Sequence, residues 1–211
     1  MRLFILLAFL MFAGPVTAQC FCVRCVTPQF QSFQIVSEAM APTQETGSCA
    51  VATMIDPTDR PIEPGDILAF EEVRNGQTII FIFRMVAGPG DVVEMRNGVV
   101  WVNNAAVQMD PMDPYARTMD DRGRFQCTNA PVAPGETCLA NRFTETLPNG
   151  RSYEVLDIRE TQVDNTPAME IPPGHVFVMG DNRDNAADSR IPAPHGRGTI
   201  PLERVIGVFE E

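Results

Sequence analysis

The sequence predicts an all-β protein. Short runs of β-branched and apolar residues recur along the chain, turn residues separate them, and few stretches show the 3.6-residue period of a helix. The 18 prolines and 15 glycines among the 211 residues interrupt these runs at short intervals. Many short strands with Gly- and Pro-rich connections are typical of all-β domains.

Each candidate strand is an apolar or alternating run that ends at turn residues. In chain order the candidates cover residues 33–36, 49–54, 66–70, 78–86, 91–96, 99–103, 152–158, 175–179 and 205–209. Asn97-Gly98 predicts a two-residue hairpin between two of these strands, because both positions tolerate positive φ. Asn75-Gly76 predicts a second hairpin on the same grounds.

Residues 109–166 differ in composition from the segments on either side. They are polar and rich in Asp, Pro and Arg, and we interpret them as a lobe inserted between two parts of one core. Cys127 and Cys138 flank a Pro- and Gly-rich loop within this lobe. A disulfide that closes the loop is the expected pairing.

Residues 1–18 have the pattern of an export signal. Arg2 supplies the positive charge, residues 3–13 are continuously apolar, and residues 16–18 have the spacing of a cleavage site. The apolar run is shorter than the roughly 20 residues that a spanning helix needs. We therefore predict a cleaved signal peptide, with a short uncleaved membrane anchor as the alternative.

All six cysteines follow this segment, in a compartment where disulfides persist. Cys20, Cys22 and Cys25 lie in a Cys-rich segment, residues 19–32, and Cys49 is the next cysteine along the chain. These four cysteines can pair in three ways, and all three remain open. A metal site is disfavoured because no histidine lies near this cluster. We expect no cofactor and no metal.

The charge balance excludes one class of partner. The formal net charge of −11 repels phosphate backbones, so nucleic-acid binding is not expected. The sequence also contains no lysine, since all 16 residues counted as Lys or Arg are arginine.

Four segments carry the functional signal, and they occur in a fixed order. They are residues 33–43 (FQIVSEAMAPT), 64–70 (PGDILAF), 83–91 (FRMVAGPGD) and 180–190 (GDNRDNAADSR). Together they resemble type I signal peptidases, membrane-bound serine endopeptidases that release exported proteins from their leader peptides. The last segment is the most specific. The resemblance covers residues 33–207 and implies an antiparallel β-sheet core built from residues 33–108 and 167–211.

The resemblance assigns catalytic roles to three positions, and none holds a catalytic residue. The family needs a serine nucleophile and a neutral lysine that takes its proton. The nucleophile position, before the Met of the first segment, is Ala39, and the base position, before the Arg of the third, is Phe83. The position that orients the base is Ala186.

Other matched positions keep polar or charged residues. The resemblance implies that Ser37, with the backbone at Ala39 and Met40, forms an oxyanion or peptide-binding site. We interpret four charged residues of the fourth segment as a structural brace: Asp181, Arg183, Asp188 and Arg190.

These observations favour an exported, non-catalytic relative of signal peptidase I that binds an extended peptide, such as the leader of an exported protein, or an envelope protein. The expected location is the periplasm or the extracytoplasmic face of the membrane, with membrane proximity through the N-terminal segment. One alternative is an active leader peptidase in which Ser37 works with His175 or His195, or with an aspartate. Another is a structural envelope protein whose cleft is filled.

Overall fold

The computed structural model describes residues 20–56, 61–121 and 124–210. These ranges contain sixteen strands and four single-turn 3-10 helices, and no α-helix occurs within them, which confirms the all-β prediction. No helix in the described part of the chain is long and apolar enough to cross a bilayer. The predicted export signal, residues 1–18, lies outside the described residues.

The strands are numbered in chain order. They are β1 Phe30–Gln34, β2 Cys49–Met54, β3 Ile67–Arg74, β4 Gln77–Ala87, β5 Val92–Arg96, β6 Val99–Val102, β7 Ala105–Ala106, β8 Gln108–Pro111, β9 Tyr115–Thr118, β10 Thr137–Ala140, β11 Arg142–Thr146, β12 Ser152–Leu156, β13 Met169–Glu170, β14 His175–Met179, β15 Ile200–Pro201 and β16 Val205–Phe209. The 3-10 helices are Arg24–Val26, Gln162–Asp164, Arg183–Asn185 and Leu202–Arg204.

The largest sheet has seven strands in the order β1-β2-β16-β3-β4-β14-β15, and all its pairs are antiparallel. Both predicted hairpins are confirmed. Asn75 and Gly76 join β3 to β4 with φ of 51° and 75°, and Asn97 and Gly98 join β5 to β6 with φ of 50° and 79°. Positive φ at both central residues gives the turn a twist that matches the strands it connects.

The described residues also form three smaller sheets, in the orders β13-β5-β6-β7, β12-β11-β8 and β10-β9. The segment 109–166 contains strands β9 to β12 and most of β8, and of these only β12 was predicted. Tyr153 and Val155 of β12 pack in a core cluster with Val86 and Phe177 of the largest sheet. The β12 strand therefore shares apolar core with the segments on either side of the predicted lobe.

Three disulfides lie within the described residues. Cys127 bonds to Cys138, which confirms the predicted loop closure. Of the three pairings left open near the N-terminus, the structure has Cys20–Cys49 and Cys22–Cys25. Because Cys49 begins β2, the first of these fixes the Cys-rich segment to the second strand of the largest sheet.

Candidate active site

The first and fourth segments of the sequence signature meet directly. The Asn182 backbone N–H donates a hydrogen bond of 3.0 Å to the Ala39 carbonyl. Beside this contact, a Cβ atom on Gly180 would lie 2.6 Å from the Ala39 oxygen and 2.4 Å from the Ala186 Cβ. Only glycine fits such an approach without movement of the backbone. Gly180 thus allows Ala39 and Ala186 to come together.

The three positions that the family resemblance assigns to catalysis lie in one apolar cluster. Ala39, Phe83 and Ala186 are 7%, 4% and 9% exposed and share this cluster with Met40. The Phe83 ring packs against the Phe70 ring, with 6.1 Å between their centroids. An aromatic ring is compatible with this dry environment, whereas an unpartnered ammonium group is not.

Ser37 lies at the surface, next to this cluster, and no base is bonded to it. Its side chain is exposed, and within the described ranges neither its hydroxyl nor the Ala39 N–H donates a hydrogen bond. The ring of His175 contacts the Pro173 carbonyl through Nδ1 at 3.1 Å, and His195 is exposed in the loop before β15. Neither histidine has a described hydrogen bond with Ser37.

The four charged residues that we interpret as a brace all lie in buried ion pairs. Asp181 binds the Arg84 guanidinium through two hydrogen bonds of 2.8 Å, and both side chains are 1% exposed. Asp181 also accepts a hydrogen bond of 2.5 Å from the Thr43 hydroxyl, while Arg84 donates to the Gly65 carbonyl at 2.7 Å. The Asp181–Arg84 pair therefore connects all four signature segments.

Asp188 and Arg190 pair with each other. Arg190 donates from Nε and Nη2 to the two Asp188 oxygens, at 2.9 Å each, and a further hydrogen bond joins Arg190 to the Arg183 carbonyl. Asp188 also accepts the Gly180 N–H at 3.0 Å. The pair thereby fixes the backbone at the point where Gly180 approaches Ala39.

Arg183 has a partner that the sequence did not reveal. Its guanidinium donates to Glu145 of β11 at 2.7 Å, and the Tyr153 hydroxyl donates to the same Glu145 oxygen at 2.5 Å. Burial, together with the negative charge of Glu145, raises the pKa of Tyr153 well above its ordinary value. This fully buried triad joins the polar segment 109–166 to the fourth signature segment.

A second acidic group lies on the other side of the 3-10 turn Arg183–Asn185. The Asp184 carboxylate accepts the backbone N–H groups of Ile158 and Arg159 at 2.7 and 3.0 Å. Partial burial and the neighbouring charges of Asp184 and Asp164 raise the pKa of Asp157 to about 6. Asp157 therefore titrates well above an ordinary aspartate.

An apolar groove of about 270 Å³ opens beside the Ala39 cluster. Its walls are residues 33–37 on one side and residues 79–83 of β4 on the other. β1 ends the described sheet, and residues 79–83 of β4 pair only with β3, because β14 joins β4 from Arg84 onward. Both walls thus present an unpaired strand edge, a geometry that can accept an extended peptide.

Apolar side chains remain exposed at the rim of this groove. Val36 is 71% exposed, and Ile79 and Ile80 of the opposite wall are 38% and 37% exposed. Large apolar side chains that cluster around a concave surface are typical of a binding site. The site therefore combines an apolar groove with a backbone frame held by buried ion pairs.

A family model described as "Signal peptidase, peptidase S26" matches residues 6–210. The chain belongs to the peptidase S26 family. Curated relatives include signal peptidase I of Rickettsia typhi, 29% identical over 156 residues, and signal peptidase I of Rickettsia bellii strain OSU 85-389, 31% identical over 154 residues. Each alignment covers 70% of this chain, but only 50% and 46% of the respective relatives. The chain thus aligns with about half the length of these S26 relatives.

Among solved structures, the chain is similar to a crystal structure of signal peptidase I from Enterococcus faecalis V583, at 22% sequence identity and a TM-score of 0.36. That comparison covers 71% of this chain and 97% of the crystallised chain. Two methyl groups and a benzyl ring occupy the place where the family resemblance implies an alcohol, an amine and a second alcohol.

Proposed function

We propose that this chain is a non-catalytic member of the peptidase S26 family that binds extended peptides, of the kind found in the leaders of exported proteins. The observation that carries the proposal is the composition of the Ala39–Phe83–Ala186 cluster, which contains no nucleophile and no proton acceptor. A serine or amine that acts on a peptide bond needs a partner within hydrogen-bond reach. The cluster offers neither member of such a pair.

Magnitudes support the absence of turnover. Removing the nucleophile or base of a serine protease costs on the order of a million-fold in turnover. Without these residues, binding and the oxyanion hole still accelerate the reaction roughly a thousand-fold or more over its rate in water. Ser37 and the Ala39 N–H could form such a hole, and their hydrogen-bond donors are unused by the described residues. This remnant supports peptide binding more than cleavage.

The groove supports the binding half of the proposal. A peptide in extended conformation would add main-chain hydrogen bonds to the edge of residues 34–37 or of residues 79–83. Its alternate side chains would enter a pocket lined by Phe33, Met40 and Phe81. Small apolar side chains, such as those near the end of a leader peptide, suit a pocket of about 270 Å³.

The proposed location follows from the family and from the cysteines. We place the chain on the extracytoplasmic side of the membrane, where leader peptides emerge and where disulfides persist. The three disulfides of the described residues support this location.

The experiment measures cleavage and binding with the same peptide. A fluorescent synthetic leader peptide is incubated with the protein, and binding is followed by anisotropy while cleavage is followed by mass spectrometry. We expect saturable binding and no product. Ile80→Glu puts a charge at the groove rim and should weaken binding at least about 10-fold, since a desolvated charge opposes apolar contact.

The matched control is Val73→Glu. Val73 lies on the same β3–β4 hairpin and is 73% exposed, but it does not line the groove. It should leave binding unchanged. If the protein cleaves the peptide and Ser37→Ala abolishes this cleavage, the chain is an active peptidase and the proposal is wrong. Absence of binding would instead favour a purely structural protein.

A further inference from the structure

The Cys-rich segment contains a motif that the peptide-binding proposal does not use. Cys22 and Cys25 form a disulfide across a separation of three residues, and Val23 and Arg24 lie between them. The Cys25 backbone N–H donates to Cys22 Sγ at 3.1 Å, while the same N–H also contacts the Cys22 carbonyl at 3.3 Å. A donor aimed at one sulfur of a Cys-x-x-Cys pair stabilises that sulfur as a thiolate when the bond opens.

The surroundings make this disulfide accessible. Both sulfur-bearing residues are partly exposed, and the neighbouring Phe21, Val23 and Val26 are 92%, 70% and 85% exposed. Arg24 lies within the loop and pairs with Glu210 at 2.8 Å, so its positive charge is partly balanced. The Cys20–Cys49 disulfide fixes the start of this segment to β2, and the loop is therefore presented from an anchored position.

We propose that Cys22 and Cys25 form a thiol–disulfide exchange site for an external dithiol, whereas Cys20–Cys49 and Cys127–Cys138 are structural. This inference is independent of the peptide-binding proposal. In the exchange, a thiolate of the external dithiol attacks Cys25 Sγ, the Cys22–Cys25 bond breaks, and Cys22 leaves as the stabilised thiolate. The second thiolate of the external dithiol then attacks the external sulfur of the mixed disulfide, and Cys25 is released as a thiolate that takes up a proton.

The exchange is balanced. Two electrons pass from the external dithiol to the cysteine pair, the external dithiol becomes a disulfide, and Cys22 and Cys25 become the dithiol. The released Cys22 sulfur is the one that accepts the Cys25 N–H. A thiol that is stabilised as a thiolate is the better leaving group, which favours release at Cys22.

The chain contains its own control for accessibility. Cys49 is exposed and Cys20 is partly exposed, so reagents reach the Cys20–Cys49 disulfide at least as easily as Cys22–Cys25. The two differ in how their thiolates are stabilised: Cys22 Sγ accepts the Cys25 N–H, whereas within the described residues neither Cys20 nor Cys49 accepts a hydrogen bond at sulfur. A disulfide whose reduced form is stabilised in this way is reduced more readily. Accessibility alone would not separate the two disulfides, whereas the proposed exchange does.

The test uses the whole oxidised protein. Samples are equilibrated with graded dithiothreitol and alkylated, then fully reduced, alkylated with a second reagent of different mass, digested with trypsin and analysed by tandem mass spectrometry. Trypsin cleaves after Arg24, so Cys22 lies on one peptide with Cys20 and Cys25 lies on another with Cys49, and fragment ions assign the label at each cysteine. We expect Cys22 and Cys25 to carry the first label at about 10-fold less reductant than Cys20 and Cys49 require, with the circular dichroism of the β-sheet unchanged.

A second measurement assigns the roles within the pair. At the reductant concentration that opens only Cys22–Cys25, the pH dependence of alkylation is recorded for each of these two cysteines from the fragment ions. The midpoint for Cys22 should lie at least about one pH unit below that for Cys25. Equal midpoints, a lower midpoint for Cys25, or labelling of Cys20 and Cys49 at the same or a lower reductant concentration would overturn the proposal.

Discussion

Replacing Phe83 with lysine restores the amine that the family resemblance implies, and it tests whether this position is closed to water. Phe83 is 4% exposed and packs among apolar side chains, including Ala39 and Ala186. An ammonium group here would lose its hydration without gaining a partner. The Phe83→Lys protein should therefore fold with a neutral amine, which means that the pKa of the lysine is strongly depressed in the folded state.

The cost of that neutral amine depends on pH. Deprotonating a lysine of ordinary pKa costs about 4–5 kcal/mol at pH 7 and about 2 kcal/mol at pH 9. Because the unfolded state binds the additional proton, the free energy of unfolding should rise with pH. Relative to the parent protein, Phe83→Lys should gain roughly 2–3 kcal/mol of stability between pH 7 and pH 9.

The assay is urea unfolding at the two pH values, with the disulfides intact. Phe83→Met is the matched control, since it removes the ring without adding a charge, and it should show the pH dependence of the parent protein. If the stability of Phe83→Lys ran parallel to that of the parent from pH 7 to pH 9, the amine would be reaching water. The argument that this position excludes a charged base would then fail.

Three further substitutions test the frame around the site by the same unfolding assay. Gly180→Ala should cost about 3 kcal/mol or more, because its methyl group would overlap the Ala39 carbonyl; an unchanged midpoint would mean that this close approach does not exist. Arg84→Met should cost about 3–5 kcal/mol by leaving the buried Asp181 carboxylate unpaired, and a cost below about 1 kcal/mol, typical of a surface pair, would contradict that geometry. Asp157 has a raised pKa of about 6, so its ionisation should lower the free energy of unfolding as pH rises from about 4 to about 6. Asp157→Asn should remove about 1–2 kcal/mol of that loss, allowing for the partial exposure of the carboxyl group, whereas identical pH profiles would show that Asp157 does not titrate there.

Most strands of the largest sheet were predictable because their residues are apolar enough to show a pattern, but β1 covers Phe30–Gln34 instead of the predicted 33–36, and the two-residue strand β15 was not predicted. The predicted bounds of β2, β14 and β16 agree with the structure at both ends. Strand β11, Arg142–Thr146, was missed because it carries charged and hydroxyl side chains, four of its five residues being only partly buried. A polar strand that packs against few apolar neighbours gives no period-2 signal to detect.

The turn at Asn103-Asn104 shows a second limit. Both residues have positive φ, 53° and 63°, as in the two predicted hairpins. Without a glycine, and with only the two-residue strand β7 to follow, the sequence signal is weak.

The residues of the site likewise include some that the sequence predicted and some that it did not. The resemblance matched Ala39, Phe83 and Ala186 to functional positions, and the structure brings them into one cluster. The resemblance did not identify Glu145 as the partner of Arg183. A buried arginine needs a carboxylate, but the sequence contains 27 acidic residues and does not indicate which of them is the partner. Only the folded chain shows that Glu145 of β11 reaches Arg183.

The two open strand edges beside the groove have a consequence for handling the protein at high concentration. An uncovered edge with exposed Val36, Ile79 and Ile80 nearby can pair with any extended segment, including one from another molecule of the same chain. Self-association would then compete with an added ligand for the same backbone donors and acceptors. Affinities measured in concentrated samples would be weaker than the intrinsic ones, and dilution would recover them.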